Sequence, residues 1–291
     1  MSLRIAVMET PPPAASGGVR WADLRIRVLA SAVLIPLVVA DVWLGGLWFE
    51  LLLAAIGLAM AWEWCAMVHQ GNRWQLALHA FAALSAAFIP VDAALPLTFL
   101  CILAAWLGSG LGVLRAGRFG RFWRWIGVPY VALPIVSLAI LRSDATLGFE
   151  AVLWLFVVVW SADIGAYFAG RTIGGPRLAP AISPKKTWAG LAGALAAGGL
   201  AAGIVAMVAG LPPLWVLVAL GAGMGLVEQI GDLFESAAKR SFGTKDSGRL
   251  IPGHGGVLDR VDGLAFAAVA AVTIGVLRGG LDSSAVGLLR W

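Results

Sequence analysis

Residues 213–240 read PLWVLVALGAGMGLVEQIGDLFESAAKR, an apolar run that takes up acids only toward its end. No charge appears from Pro213 to Val227. Glu228, Asp232, Glu235 and Lys239 then follow at spacings of four, three and four, which places them along one helical face. An acid within a membrane helix is expensive, so a face carrying several reads as functional, although the outer ones also mark a helix emerging into water. The run therefore predicts a membrane helix with chemistry at one end.

The rest of the chain fits that reading. Of its 291 residues 60% are hydrophobic and 13% charged, with 37 Gly, 14 Trp and a mean hydropathy of +0.89. A soluble domain is nearer half apolar and a quarter charged, so the fold class is an all-α polytopic membrane protein, and disordered, collagen-like and disulfide-scaffold classes are excluded. Spans are expected at about 26–46, 47–68, 76–91, 95–113, 126–142, 150–169, 188–210, 213–234 and 263–280. The third is short and carries His79. Residues 1–22, with Pro11-Pro12-Pro13 and Ser16-Gly17-Gly18, predict a disordered tail. Residues 23–142 then form the amino-terminal helices and residues 143–291 a catalytic membrane domain. The run after Arg25 and Arg27 imitates a signal peptide but is read as an uncleaved first span.

With the amino terminus placed in the cytoplasm, 18 of the 21 Lys and Arg fall on the cytoplasmic side, leaving Arg142, Arg278 and Arg290 outside. The net charge of +5 is thus a cytoplasmic-face charge, and its spread between spans argues against nucleic-acid binding. Cys65 and Cys101 lie in apolar runs without metal or redox spacing and read as packing residues. The Gly108-Ser109-Gly110-Leu111-Gly112 and Gly221-Ala222-Gly223-Met224-Gly225 pieces sit inside spans, so close helix packing is favoured over a nucleotide loop. No internal repeat of the transporter kind is visible.

Chemistry gathers between Asp163 and Asp262. Asp259 and Asp262 lie three apart where the ninth span begins and can face the end of the eighth carrying Asp232. Three converging carboxylates repel one another unless cations sit among them, and Mg²⁺ suits carboxylates, water and phosphate better than zinc, which would want His and Cys. His254 stands alone in the connecting loop and reads as a hydrogen-bonding residue. Before the seventh span, Ser183-Pro184-Lys185-Lys186-Thr187-Trp188 reads as an N-cap with Pro in the first turn and two lysines for phosphate, the alternative being a plain positive anchor. Asp163 and Arg171 place an acid and a base near the same end. Glu63, between Trp62 and Trp64, reads as interfacial and stays outside the expected site.

These residues resemble a known signature. Ser236-x-x-Lys239-Arg240, Lys245-Asp246 and Gly253-His254-Gly255-Gly256-x-x-Asp259-Arg260-x-Asp262, together with the Asp163–Arg171 and Ser183–Trp188 segments, are similar to the phosphatidate cytidylyltransferases, the CDP-diacylglycerol synthases. The likeness covers the carboxyl-terminal half, and the amino-terminal spans match in hydropathy only. Ala189 stands where that family usually has Glu, and Gly263 where Ser is common.

The resemblance implies a multi-pass enzyme of the bacterial inner membrane. It would join CTP and phosphatidic acid, using Mg²⁺ with a second cation such as K⁺; a homodimer stays open. Asp232 and Asp259 are then the expected metal ligands, with Asp262 beside them or on the second cation. Lys185, Lys186, Lys239 and Arg240 would hold phosphates, and Arg260 would offer a bidentate clamp. Ser183, Thr187 and His254 would add hydrogen bonds, with Asp163, Arg171, Ser236, Lys245 and Asp246 completing the substrate site. The rival readings are a CTP-dependent lipid kinase and a transporter of an anionic substrate.

Overall fold

The computed structural model describes residues 32, 35–114, 120–248, 250 and 255–291. The expected tail at 1–22, residues 26–31 and 33–34 of the first expected span, and His254 lie outside the described residues. Among the described residues ten helices follow in chain order: α1 (Ile35–Leu44), α2 (Gly46–Val68), α3 (Arg73–Phe88), α4 (Val91–Leu114), α5 (Arg121–Ser143), α6 (Gly148–Thr172), α7 (Trp188–Val208), α8 (Leu214–Ser241), α9 (Leu258–Gly279) and α10 (Ser284–Leu289). Between α6 and α7, β1 (Arg177–Ala179) pairs antiparallel with β2 (Ser183–Thr187).

Among the described residues seven helices, α2 and α4 to α9, are long and apolar enough to cross a membrane. The nine expected spans exceed that number for two reasons. The first is only partly described, and its described helix, α1 at Ile35–Leu44, is too short to cross. The third, α3, has 16 residues, which at 1.5 Å per residue reach about 24 Å and fall short of a hydrocarbon core of roughly 30 Å.

The strand pair also corrects the expectation of an N-cap at Ser183. Proline disfavours the helical region for the residue before it, so Ser183-Pro184 runs extended, and Pro184 loses nothing on a two-stranded ribbon where its missing N–H can face outward. Thr187 takes the capping role, its hydroxyl accepting from the Gly190 N–H at 3.0 Å.

Small residues set the packing of the carboxyl-terminal half. A Cβ on Gly198 would lie 2.8 Å from the Gly221 carbonyl oxygen, and one on Gly225 would lie 2.8 Å from that of Ala194. The Gly221–Gly225 piece is therefore a packing surface between α7 and α8. In the first glycine piece Ser109 lies in α4 against α3, its buried hydroxyl donating to Gln75 Oε1 at 2.6 Å. Cys65 is buried, Cys101 half-buried, and both are free thiols.

Hydrogen bonds between elements mark two ends of the bundle. At one end Glu63 of α2 meets the start of α9, Arg124 Nε of α5 donates to Val68 O, and Lys186 of β2 meets Asp232 of α8. At the other, Arg142 of α5 donates to Val42 O, and Asp144 accepts from the Ala285 and Val286 N–H groups of α10. Exposed tryptophans gather near both: Trp62, Trp74 and Trp188 at the first, Trp43, Trp48 and Trp215 at the second. Two aromatic belts of this kind are what membrane interfaces favour.

Because Gly225 meets backbone while Gly223 has nothing within 4 Å of an added Cβ, Gly225→Leu and Gly223→Leu are expected to part company. The first should lower stability by at least about 1–3 kcal/mol through overpacking and the second should leave it nearly unchanged, read as the thermal midpoint of detergent-purified protein.

Candidate active site

The site stands on two helices that outrun their apolar stretches. Hydropathy ends the eighth span at 234, but α8 continues to Ser241, and α9 begins at Leu258, ahead of the expected 263. Aromatic packing holds this extension. Phe234 sits 5.1 Å from Trp123, 5.3 Å from Tyr130 and 5.1 Å from Phe266 between ring centroids, tying α8 to α5 and α9. At the crossing a Cβ on Gly231 would lie 2.5 Å from the Asp262 carbonyl oxygen, and one on Gly263 would lie 2.6 Å from Glu228 Cγ. Only glycines permit this approach, which sets Asp232 beside Asp262.

Two lysines bind the acids. Lys186 Nζ lies 2.7 Å from Asp232 Oδ2 and donates to Gln229 Oε1 at 2.8 Å. Gln229 in turn donates to Glu228 Oε2 at 2.9 Å, and Glu228 hydrogen-bonds with Asp163 of α6. Lys239 Nζ lies 2.6 Å from Asp259 Oδ1 and also pairs with the fully buried Glu235. Asp259 further accepts from the N–H groups of Ser247 and Gly256 at 3.2 and 3.1 Å. Ser236 donates to Asp232 Oδ1 at 3.1 Å, and Asp262 Oδ1 accepts from Gly263 N–H at 2.9 Å. Asp262 feels the charges of Asp232 and Asp163, and Asp163 also feels Arg260.

Not every expected residue converges. Neighbours on a strand point to opposite faces, so Lys186 turns toward α8 while Lys185 is exposed. The adjacent lysines therefore do not form one phosphate cradle in this arrangement. Arg240 donates to the carbonyls of Ile182 and Thr244, bracing the β-ribbon and the loop after α8. Arg171 donates to its own helix at Tyr167 Oη, 2.8 Å away. Ser183 is partly buried in β2, and Lys245 and Asp246 are exposed on the following loop.

Glu63 is the residue that sequence reasoning left out. It is 1% exposed and accepts from Ser247 Oγ at 3.2 Å, Val257 N–H at 3.0 Å and Leu258 N–H at 2.8 Å. It thus clasps both flanks of the loop between α8 and α9 and places a negative charge at the positive end of α9. Gly248 and Gly256 make room for it: a Cβ on either would lie within 2.7 Å of the carboxyl group. The available signal was an acid inside an apolar run, but two flanking tryptophans gave it an interfacial look. Glu228, Glu235 and Gln229 were visible as a helical face, whereas Tyr130, buried against Trp64 at 4.8 Å, carried no signal.

The donor set fits a hard cation, since Asp232, Asp259 and Asp262 offer only carboxylate oxygens. Among the described residues no three acidic, His or Cys side chains are already drawn into a metal-sized cage, and Lys186 and Lys239 hold Asp232 and Asp259 instead. The acids are thus crowded around two ammonium groups at one end of the bundle rather than spread through its middle.

The chain belongs to the cytidylyltransferase family, whose profile matches residues 25–277. The phosphatidate cytidylyltransferase of Brucella suis biovar 1 is 40% identical over 257 residues, 88% of this chain and 94% of its own length. That of Pseudomonas aeruginosa is 36% identical over 256 residues, covering 84% and 94%. That of Rickettsia bellii is 32% identical over 257 residues, covering 84% and 88%.

Glu63→Ala leaves three donors without their acceptor, each costing about 1–3 kcal/mol when buried, so a clear drop in thermal midpoint is expected. Amide exchange at Val257 and Leu258 should accelerate in the same variant, and Glu63→Gln, which keeps one acceptor oxygen, should fall between it and the parent.

Proposed function

We propose that the protein is a phosphatidate cytidylyltransferase, joining CTP and phosphatidic acid to give CDP-diacylglycerol and pyrophosphate. The observation that carries this reading is 40% identity, over nearly the whole chain, to a relative of that name, with the signature acids and lysines gathered at one end of a membrane bundle. A lipid phosphate oxygen attacks the α-phosphorus of CTP, a P–O bond forms there, and the bond to the bridging oxygen breaks so that pyrophosphate leaves. Such a displacement asks for in-line positioning and charge neutralisation more than for a covalent intermediate.

The residues divide that work. Lys186 and Lys239 exchange their carboxylate partners for phosphate oxygens as substrates arrive, which frees Asp232 and Asp259. Asp232, Asp259 and Asp262 would hold Mg²⁺, which when bound would supply positive charge against the negative charge building on the phosphoryl oxygens. Arg260 clamps a phosphate, Ser236 orients Asp232, and Glu63 keeps the loop bearing the signature seated on α9. Lys185, Arg171, Lys245 and Asp246, exposed around the rim, meet the nucleotide as it enters from water. His254 belongs to the same loop.

We place this end in the cytoplasm of a bacterial inner membrane, with the amino terminus on the same side and nine spans in all, the bilayer thinning locally around the short α3. What supports this is the distribution of basic residues, 18 of 21 on that side. CTP then arrives from water and phosphatidic acid from the inner leaflet.

Four outcomes test these statements. With CTP labelled at the α-phosphorus the label should enter the lipid, and with γ-label it should leave as pyrophosphate; γ-label in lipid contradicts cytidylyl transfer. Asp232→Asn should lower turnover by about two orders of magnitude or more with no rescue by extra CTP. Lys186→Ala should lose about ten- to a hundredfold in kcat/KM, the measure of a charge-assisted contact worth roughly 1.5–3 kcal/mol, and recover in part at high CTP. For orientation, in a background with Cys65 and Cys101 replaced by Ala, a cysteine at Ser143 should react with an impermeant thiol reagent on intact cells and one at Asp246 should not; the reverse labelling contradicts the assignment.

A further inference from the structure

Between α5, α8 and α9 runs an apolar cavity of about 410 Å³ that cytidylyl transfer, as described, does not use. Phe122, Tyr130 and Pro134 line it on α5, Phe234 and Val227 on α8, and Ala270 on α9. Its course is set by helix direction. α5 runs away from the site and α8 toward it, so Phe122 and Phe234 stand at the level of the acids, while Pro134, Val227 and Ala270 lie deep. From Phe122 to Pro134 the path is about 18 Å at 1.5 Å per residue, close to one leaflet of a hydrocarbon core roughly 30 Å thick. Phe122 is exposed, so the groove opens sideways toward lipid.

Its upper end touches the site. Phe234 lies between Asp232 and Glu235 in sequence, and Tyr130 feels the charges of Asp262 and Glu235. The Tyr130 hydroxyl is the one polar group named in the lining that is buried with no hydrogen-bond partner among the described residues. A buried phenol ordinarily finds a partner, so one left open at the junction of an apolar groove and a phosphate site suits an amphiphile with an acceptor oxygen between its polar head and its tail.

We propose that this groove takes one acyl chain of the phosphatidic acid substrate, with Tyr130 donating to an ester or phosphate oxygen where chain and headgroup meet. The inference rests on the cytidylyl-transfer reading and adds to it the source of chain-length preference. The methylenes enter a dry slot that runs from the headgroup level toward the midplane, and the phosphate is left at the end of α8 beside Lys186 and Lys239.

The test compares dioleoyl with dioctanoyl phosphatidic acid on the parent and on Ala270→Phe, which blocks the deep end and touches no proposed catalytic residue. Losing even two buried methylenes is worth roughly tenfold, so kcat/KM for the dioleoyl lipid should fall about tenfold or more while the dioctanoyl value stays within about twofold. Leu200→Phe, on the exposed face of α7, should change neither. A second arm works on the parent alone: phosphatidic acid with a diazirine late in one chain should label the deep groove residues of α5, α8 and α9. Equal loss with both lipids in an Ala270→Phe protein of parental thermal midpoint, no loss with either, or label spread evenly over the outward faces of α4 and α7 as for bulk lipid, would each overturn the proposal. Absence of cytidylyl transfer with every chain length instead contradicts the reaction, and the labelling arm then judges the groove by itself.

Discussion

The structure depends on the pairing of Lys186 with Asp232 and of Lys239 with Asp259, because each lysine brings an element from elsewhere in the chain onto an acidic helix end. Charges at the end of an apolar bundle are tolerated only with partners close by. Lys186 draws the β-ribbon over α8, and Lys239 ties α8 to the start of α9. The same contacts set an ammonium group against each of two acids, 2.7 Å from Asp232 and 2.6 Å from Asp259. A lysine that neutralises a carboxylate at rest is a ready donor to phosphate once a cation takes its place, so in the proposed reaction one arrangement would serve both stability and turnover.

Helix packing decides which acids meet. Gly198, Gly221 and Gly225 let α7 and α8 touch through backbone, and Gly231 and Gly263 do the same for α8 and α9. Neighbouring helices in lipid gain little from burying apolar surface, so close backbone approach supplies the attraction. The result sets Asp163, Glu228, Asp232 and Asp262 from three helices around one point. From the amino-terminal half Glu63 reaches across to the loop before α9, and Tyr130 and Trp123 join the aromatic cluster around Phe234. The amino-terminal half, where the sequence reading found likeness in hydropathy only but which lies within the profile match over residues 25–277, thus supplies the clasp and one wall of the acidic cluster.

What was legible in the sequence were features written in a single helix. The apolar runs and the face through Glu228, Asp232, Glu235 and Lys239 appear as expected, because helical periodicity is local. The boundaries were less so: α8 outruns its hydropathy by a turn or two because Phe234 packs on α5 and α9, a contact no window detects. The ribbon at Ser183–Thr187 was misread as a helix start because Ser-Pro satisfies a capping pattern, while the competing bias of a residue before Pro toward extended backbone prevailed. Glu63 was hidden for a different reason. Its partners lie nearly two hundred residues away, and only tertiary structure turns an acid between two tryptophans into a loop clasp.

In the proposed reaction Asp232 and Asp259 exchange their lysine partners for a divalent cation, which Asp262 helps to hold, when nucleotide binds. Mn²⁺, which shares the preference of Mg²⁺ for carboxylate and phosphate oxygens, reports on this directly by electron paramagnetic resonance without requiring turnover. The account predicts Mn²⁺ binding that tightens in the presence of a non-hydrolysable CTP analogue and is lost in Asp232→Asn and Asp262→Asn. Binding that ignores the nucleotide, or that survives both substitutions unchanged, would contradict it.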